Sequence, residues 1–329
     1  MIFSHRTLLV VTVCLFIVFG TSVTISEKTQ EKKPPSPPSQ PPAGPGGSEY
    51  NHGDVKIQRY GFGAQQFWIF EPADPTPLSA PLIVFNHGWS AFVPFFYQGW
   101  INHVVKRGNI VVFPRYQRGF LFGFQHFSAN ALEAVKNAIK ELSQGNHVIP
   151  ELEHFAIVGH SLGGSITADI AALAESEGLP IPKAIMAVQP VIPRANLSLI
   201  SSNTILLVVV GQDDTMVGDY GGKRIFLKTN QIPLDHKDFI IQVTDMYGEP
   251  DLIADHFAPV SPKSNLGRYG KVDAMDYYST WKLFDGLIEY AFYGIHKEYC
   301  LGNTPEQRFM GCWSDGTPVK ELIVTDFPE

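Results

Sequence analysis

The chain of 329 residues reads as an α/β protein built on a mostly parallel sheet, and two observations carry that reading. Short, almost wholly apolar runs alternate with longer segments of helical spacing. Strands that are apolar on both faces belong to a parallel sheet covered by helices on both sides. The second observation is the stretch FAIVGHSLGGSITADIAALA, in which a short apolar run gives way to small and apolar residues through Gly159-His160-Ser161-Leu162-Gly163. Gly-x-Ser-x-Gly between a strand and a helix marks a sharp turn that holds a serine hydroxyl above a sheet edge. Side chains at Gly159 and Gly163 would clash in so tight a turn. The helix that follows aims its positive end at the place where an oxyanion would form. The bland alternative is a turn with an ordinary capping serine; the strand before and helix after favour a nucleophile.

Taken in order, residues 1–25 open with His5 and Arg6, run apolar from Leu8 to Phe19 and end near Gly20-Thr21-Ser22. This is the layout of a secretory signal peptide, with an uncleaved single-pass anchor as the rival reading. Residues 26–49 are so rich in proline that they read as an extended, disordered linker. The folded domain is expected over 50–299. Strands are expected at 55–60, 66–70, 81–85, 110–113, 155–159, 183–188, 204–210 and 238–244. Helices are expected at 96–106, 126–143, 165–174 and 274–293, the second from the spacing of Ala131, Val135, Ala138, Ile139 and Leu142. Residues 300–329 form a C-terminal extension.

Composition narrows the function classes. A hydrophobic fraction of 44% and a charged fraction of 17% describe a globular protein with a sizeable core. A formal charge of -7 argues against nucleic acid as a partner, since phosphate binding needs a basic surface. Of three cysteines, Cys14 sits in the apolar leader. Cys300 and Cys312 flank a turn-rich segment in a chain expected to be exported, where thiols oxidise, so a disulfide between them is expected.

A serine nucleophile needs a base, an orienting acid and oxyanion donors. Sites in parallel sheets gather at the carboxyl ends of the strands, and in this kind of site the acid and then the histidine follow the serine in sequence. Asp213 and Asp214 follow the most apolar strand. His256 follows the last one by a loop, whereas His236 precedes it at the wrong end and His296 has no strand to position it. The backbone N–H groups of Leu162 and Trp89 are the expected oxyanion donors. His87 reads as structural. Trp89, Phe92 and Phe257 are expected to wall the substrate cleft, while Phe95 and Phe96 could serve either the wall or the core.

The HGW, GHSLGG, GQDD and DHF segments, running in that order over residues 55–295, resemble the α/β-hydrolase superfamily. Within it they are similar to the secreted cutinase, polyester-hydrolase, dienelactone-hydrolase and chlorophyllase-like branch. The resemblance implies an α/β-hydrolase fold and a serine carboxylic-ester hydrolase with a triad of Ser161, Asp214 and His256. Family spacing picks Asp214 over Asp213. It implies an ester substrate, small, polymeric or lipidic, and neither cofactor nor metal. The fifteen residues 189–203 are too few for a large lid. A peptidase or acyltransferase, or an inactive fold used for binding, remain alternatives on the same scaffold. Asn196 heads a glycosylation sequon, and the acidic segment 245–255 reads as a solvated loop rather than a calcium site.

Overall fold

Apolar runs and their polar punctuation build a sheet of nine strands among residues 33–119 and 123–328, which the computed structural model describes. The expected signal segment 1–25, with Cys14, lies outside the described residues, as does the start of the proline-rich stretch. The strands are β1 (Asp54–Tyr60), β2 (Phe67–Ala73), β3 (Ser79–Asn86), β4 (Ile110–Pro114), β5 (Ile149–His160), β6 (Ala184–Val188), β7 (Ile205–Gly211), β8 (Lys237–Gln242) and β9 (Ile323–Thr325). Their spatial order is β1-β2-β4-β3-β5-β6-β7-β8-β9. Every pairing from β4 through β8 is parallel, and only β1, β2 and β9 run against their neighbours. The helices are α1 (Gln98–Lys106), α2 (Phe127–Leu142), α3 (Leu162–Leu173), α4 (Tyr220–Lys228), α5 (Trp281–Tyr293) and the short α6 (Pro305–Arg308). This is the α/β-hydrolase arrangement. Among the described residues no helix is long and apolar enough to cross a membrane.

The two-residue period of a strand explains why the central runs are apolar throughout. Leu82 and Val84 of β3 and Leu206 and Val208 of β7 enter the core on one face, with α2, α3 and α4. Their neighbours Ile83, Phe85, Leu207 and Val209 enter the core on the other, with α1 and α5. Helix α3 is buried nearly all round, from Gly163 to Ala172. Its two early glycines cost about 1 kcal/mol each in helix propensity. Burial of Ile166 and Ile170, at roughly 2 kcal/mol apiece, more than offsets them.

Four expectations need correction. The proline-rich stretch is not a free linker from Pro34 onward, because Pro34–Glu329 form one compact unit. Pro35 O accepts from Glu249 N at 2.9 Å, Ser36 and Ser314 exchange hydrogen bonds, and Gly46 N donates to the buried Asp285 carboxylate at 2.7 Å. Proline presets the extended backbone, so less freedom is lost when a partner surface presents itself. Residues 300–329 are integral to the fold: β9 pairs with β8, and Met310, Trp313 and Leu322 are buried core residues.

The expected Cys300–Cys312 disulfide is absent, both cysteines being free. Cys300 turns into the core while Cys312 is exposed, so the two thiols sit in different environments. Finally, the acidic segment is not simply solvated: Asp245 is buried and accepts from Trp313 Nε1 and Lys320 N, each at 3.0 Å.

Candidate active site

The elbow is strained. Ser161 has φ 57° and ψ -123°, a conformation that costs a non-glycine residue on the order of 1–3 kcal/mol. The flanking glycines make it fit. A Cβ on Gly159 would stand 2.3 Å from Gly163 O, and one on Gly163 would stand 2.1 Å from Asn86 O. Ser161 N donates to Val188 O at 2.8 Å, which pins the turn to the end of β6.

Around this serine the structure brings together the carboxyl ends of β7 and β8. His256 Nε2 lies 2.9 Å from Ser161 Oγ, and its Nδ1 lies 2.8 Å from Asp214 Oδ2. All three residues are buried. The other carboxylate oxygen of Asp214 accepts from the backbone of Met216 and Val217 at 3.0 and 3.1 Å. Burial alone would raise the Asp214 pKa. The hydrogen bond and charge of His256, with those two amides, outweigh burial and hold it below the usual carboxylate value. Asp213 faces the other way, exposed, with its carboxylate on the Thr244 hydroxyl. His236 sits in a turn at the start of β8, and His296 pairs with Glu289 at 2.5 Å; neither is part of this cluster.

Leu162 opens α3, so its N–H has no acceptor one turn back in the helix. Trp89 follows β3, and among the described residues its N–H has no acceptor. The residue before it is held at both ends. Gly88 N donates to Tyr97 Oη at 2.9 Å, and Gly88 O accepts from Ala91 N at 3.1 Å. His87 is fully buried, stacked on Tyr116 at 4.0 Å, with its ring nitrogens facing the carbonyls of Gly88 and Arg115. Burial pulls its pKa down to about 4, so the neutral ring can serve one carbonyl at a time.

The cluster opens into a cavity of about 1010 Å³ lined mainly by apolar side chains, among them Trp89, Phe127, Ile166, Val191, Phe257 and Tyr269. Of the expected wall residues, Trp89 and Phe257 line it. Phe92 does not; its ring lies against the Arg115 guanidinium, 4.8 Å from the ring centre. Phe96 lines the cavity and also packs on the core, while Phe95 is exposed and outside it. Between β6 and β7 there is only one short turn, Leu197–Leu199, and no helical lid.

Sequence reasoning missed Asp169. This buried carboxylate on α3 accepts from Arg194 N, Ala195 N and Ser128 Oγ. It thereby pins the 189–196 loop as one wall of the cavity, and its signal was a lone carboxylate within an otherwise small and apolar helix. Arg194 is the one arginine or lysine lining the cavity among the described residues. Tyr97 and Gln189, both fully buried beside the elbow, carried no sequence signal at all.

The model of the chlorophyllase family matches residues 51–203. That span holds the loop after β3, the elbow and α3, and stops short of Asp214 and His256. A search of curated proteins found no match.

Proposed function

Because the chain belongs to the α/β-hydrolase superfamily and resembles its chlorophyllase branch, a family of ester hydrolases, we propose that it is a serine carboxylic-ester hydrolase acting through an acyl-enzyme on Ser161. The observation that supports this most is the line from Asp214 through His256 to Ser161, at 2.8 and 2.9 Å, ending at the mouth of an apolar cavity.

In this reading Ser161 Oγ attacks the ester carbonyl while His256 Nε2 takes its proton. Asp214 accepts the Nδ1–H, fixes that tautomer and stabilises the imidazolium as it forms. The N–H groups of Trp89 and Leu162 hold the tetrahedral oxyanion, which is where preorganised donors contribute most. Collapse breaks the ester C–O bond, and His256 returns its proton to the departing alkoxide. Water, deprotonated by the same histidine, then attacks the acyl-enzyme, releasing the acid and restoring Ser161.

The cavity supports a substrate with a large apolar group, since its volume is at the upper end for sites that bury most of a ligand. The family's name makes chlorophyll one ester to assay. The apolar run from Leu8 to Phe19 behind His5 and Arg6 supports export, with the catalytic unit outside the cytoplasm, cleaved free or retained on an anchor.

Turnover of 4-nitrophenyl esters of increasing acyl length, with chlorophyll alongside, tests the reading. Hydrolysis that improves with longer acyl chains and is lost in Ser161→Ala supports it. A folded protein that cleaves none of these esters, or a Ser161→Ala variant as active as the parent, would overturn it.

A further inference from the structure

We propose that Tyr97, His160 and Gln189 form a positioning relay beneath Ser161, which locks the oxyanion loop and the histidine loop to the elbow as one unit. The proposal rests on the catalytic reading of Ser161, His256 and Asp214 given above.

Four hydrogen bonds make the relay. Gly88 N donates to Tyr97 Oη at 2.9 Å, and Tyr97 Oη meets His160 Nδ1 at 2.9 Å. His160 Nε2 meets Gln189 Oε1 at 3.1 Å, and Gln189 Nε2 donates to Asp255 O at 2.8 Å. The Asp255 end fixes the direction of the whole chain, because a carbonyl can only accept. Gln189 gives its amide N–H to Asp255 O, so its Oε1 faces His160 and accepts from Nε2–H. The neutral ring's Nδ1 is left to accept the Tyr97 proton, while Tyr97 Oη accepts from Gly88. The opposite tautomer would set two lone pairs against each other between His160 and Gln189. Burial, reinforced by the neighbouring His256, pulls His160 down to about 3, in keeping with a neutral ring.

Buried polar groups usually find partners, and that alone would not make a relay functional. What sets this one apart is where it terminates. Gly88 is the residue before Trp89, Asp255 is the residue before His256, and His160 is the residue before Ser161. The relay therefore touches the neighbour of the oxyanion donor, of the base and of the nucleophile. Tyr97, His160 and Gln189 are between 0 and 2% exposed, in surroundings where hydrogen bonds are strong and polarise one another. Gln189 is also held at φ 44°, a strained conformation of the kind that persists only where the structure around it over-determines it. Gly88 also packs closely on the relay: a Cβ there would stand 3.0 Å from Tyr97 Oη and 3.4 Å from His160 Nδ1, so the hydroxyl would have to give by a few tenths of an ångström.

Tyr97→Phe keeps the ring and removes the hydroxyl; Gln189→Glu keeps the shape but turns an acceptor toward the Asp255 carbonyl. Each is expected to lower kcat by about 10- to 100-fold, the scale of small misplacements in a catalytic geometry, with KM within about twofold. The double variant should lose little more than the worse single one, because cutting one relay twice is not additive. Phenylboronic acid, which mimics the tetrahedral state on the serine, should bind more weakly by the same factor as the loss in kcat/KM. Wild-type kcat and boronate affinity in folded Tyr97→Phe would overturn the relay, as would strictly additive losses. If Gln189→Glu does not fold, Tyr97→Phe with the boronate carries the test alone. Ser161→Ala run in parallel separates the two claims: were it active, the catalytic reading would fail. Were it inactive beside a wild-type-like Tyr97→Phe, only the relay would.

Discussion

Asp214 Oδ2 lies 2.8 Å from His256 Nδ1, and the adjacent Asp213 is turned away onto the Thr244 hydroxyl. Residues 211–214 form a turn closed by Asp214 N on Gly211 O at 3.2 Å, and the two side chains leave it in different directions, so only Asp214 reaches the ring. Asp214→Asn should therefore lower kcat by roughly four orders of magnitude, since an amide there favours the wrong tautomer. Asp213→Asn should cost far less, and His236→Ala should be near silent. Steady-state rates on an activated ester settle the ranking. A larger loss from Asp213→Asn would move the acid to its neighbour.

The buried Asp285 anchors the proline-rich segment, holding Gly46 N at 2.7 Å while pairing with His103 and Arg107 at 2.8 and 3.2 Å. Burial would raise its pKa, but the charges of His103 and Arg107 outweigh that and hold it below the ordinary 3.8. A carboxylate with a depressed pKa contributes stability that is fully present above the unfolded value and is lost as pH falls through the folded one. Asp285→Asn should thus destabilise the protein by about 3 kcal/mol at neutral pH, as removal of one partner from a buried pair does. The difference from wild type should shrink as the pH is taken below 3.8. Thermal melts at pH 7 and pH 3 check both, and a gap that widens in acid would contradict the assignment.

Gly163→Ala tests the packing of the elbow. The added Cβ would meet two backbone oxygens, Asn86 O at 2.1 Å and His87 O at 2.4 Å, and neither can rotate away. Alanine gains about 1 kcal/mol in helix propensity over glycine, which is small beside a forced backbone shift of the loop that carries Trp89. Denaturant unfolding should show net destabilisation together with lost turnover. A stabilised, active variant would refute the close approach.

Cys300 is buried, and burial pushes its thiol well above the usual value, whereas Cys312 is exposed. In the native protein Cys312 should react promptly with iodoacetamide and Cys300 only after denaturation. Mass analysis without reductant should find both alkylated once the chain is unfolded. A mass deficit of two hydrogens with neither site labelled would restore the disulfide.

Much of the fold was legible because parallel strands must be apolar on both faces, as the runs 81–85 and 204–210 are. What escaped was whatever depends on partners distant in sequence. Helix α4 went unread because its opening Tyr220-Gly221-Gly222 looks like a loop. The glycines are there for close approach: a Cβ on Gly222 would stand 2.9 Å from a Val210 methyl, and one on Gly221 would stand 2.1 Å from Pro190 O. Strand β9, three residues long, has no pattern of its own apart from β8. Composition predicted an extended, solvated segment; it could reveal neither the turn and burial at 45–47 nor Glu249 and Ser314 as hydrogen-bond partners.

At the site, the rule that chemistry collects at strand carboxyl ends pointed to His256 and to the pair Asp213 and Asp214, the resemblance chose Asp214, and the structure places that residue within hydrogen-bond distance of His256. No such rule reaches Tyr97 or Gln189, whose positions follow from tertiary packing. Phe92 was expected in the cleft wall, but an aromatic near the oxyanion loop has two places to go, and the ring lies against the Arg115 guanidinium, outside the cavity lining.

The central claim is that Ser161 is a nucleophile activated by His256. Reaction of the folded protein with a fluorophosphonate, followed by peptide mapping, tests it most directly. The account predicts one phosphonyl adduct per chain on Ser161, formed fast in the wild type and slowed by several orders of magnitude in His256→Ala. An adduct on another serine, or equal labelling of Ser161 with and without His256, would contradict it.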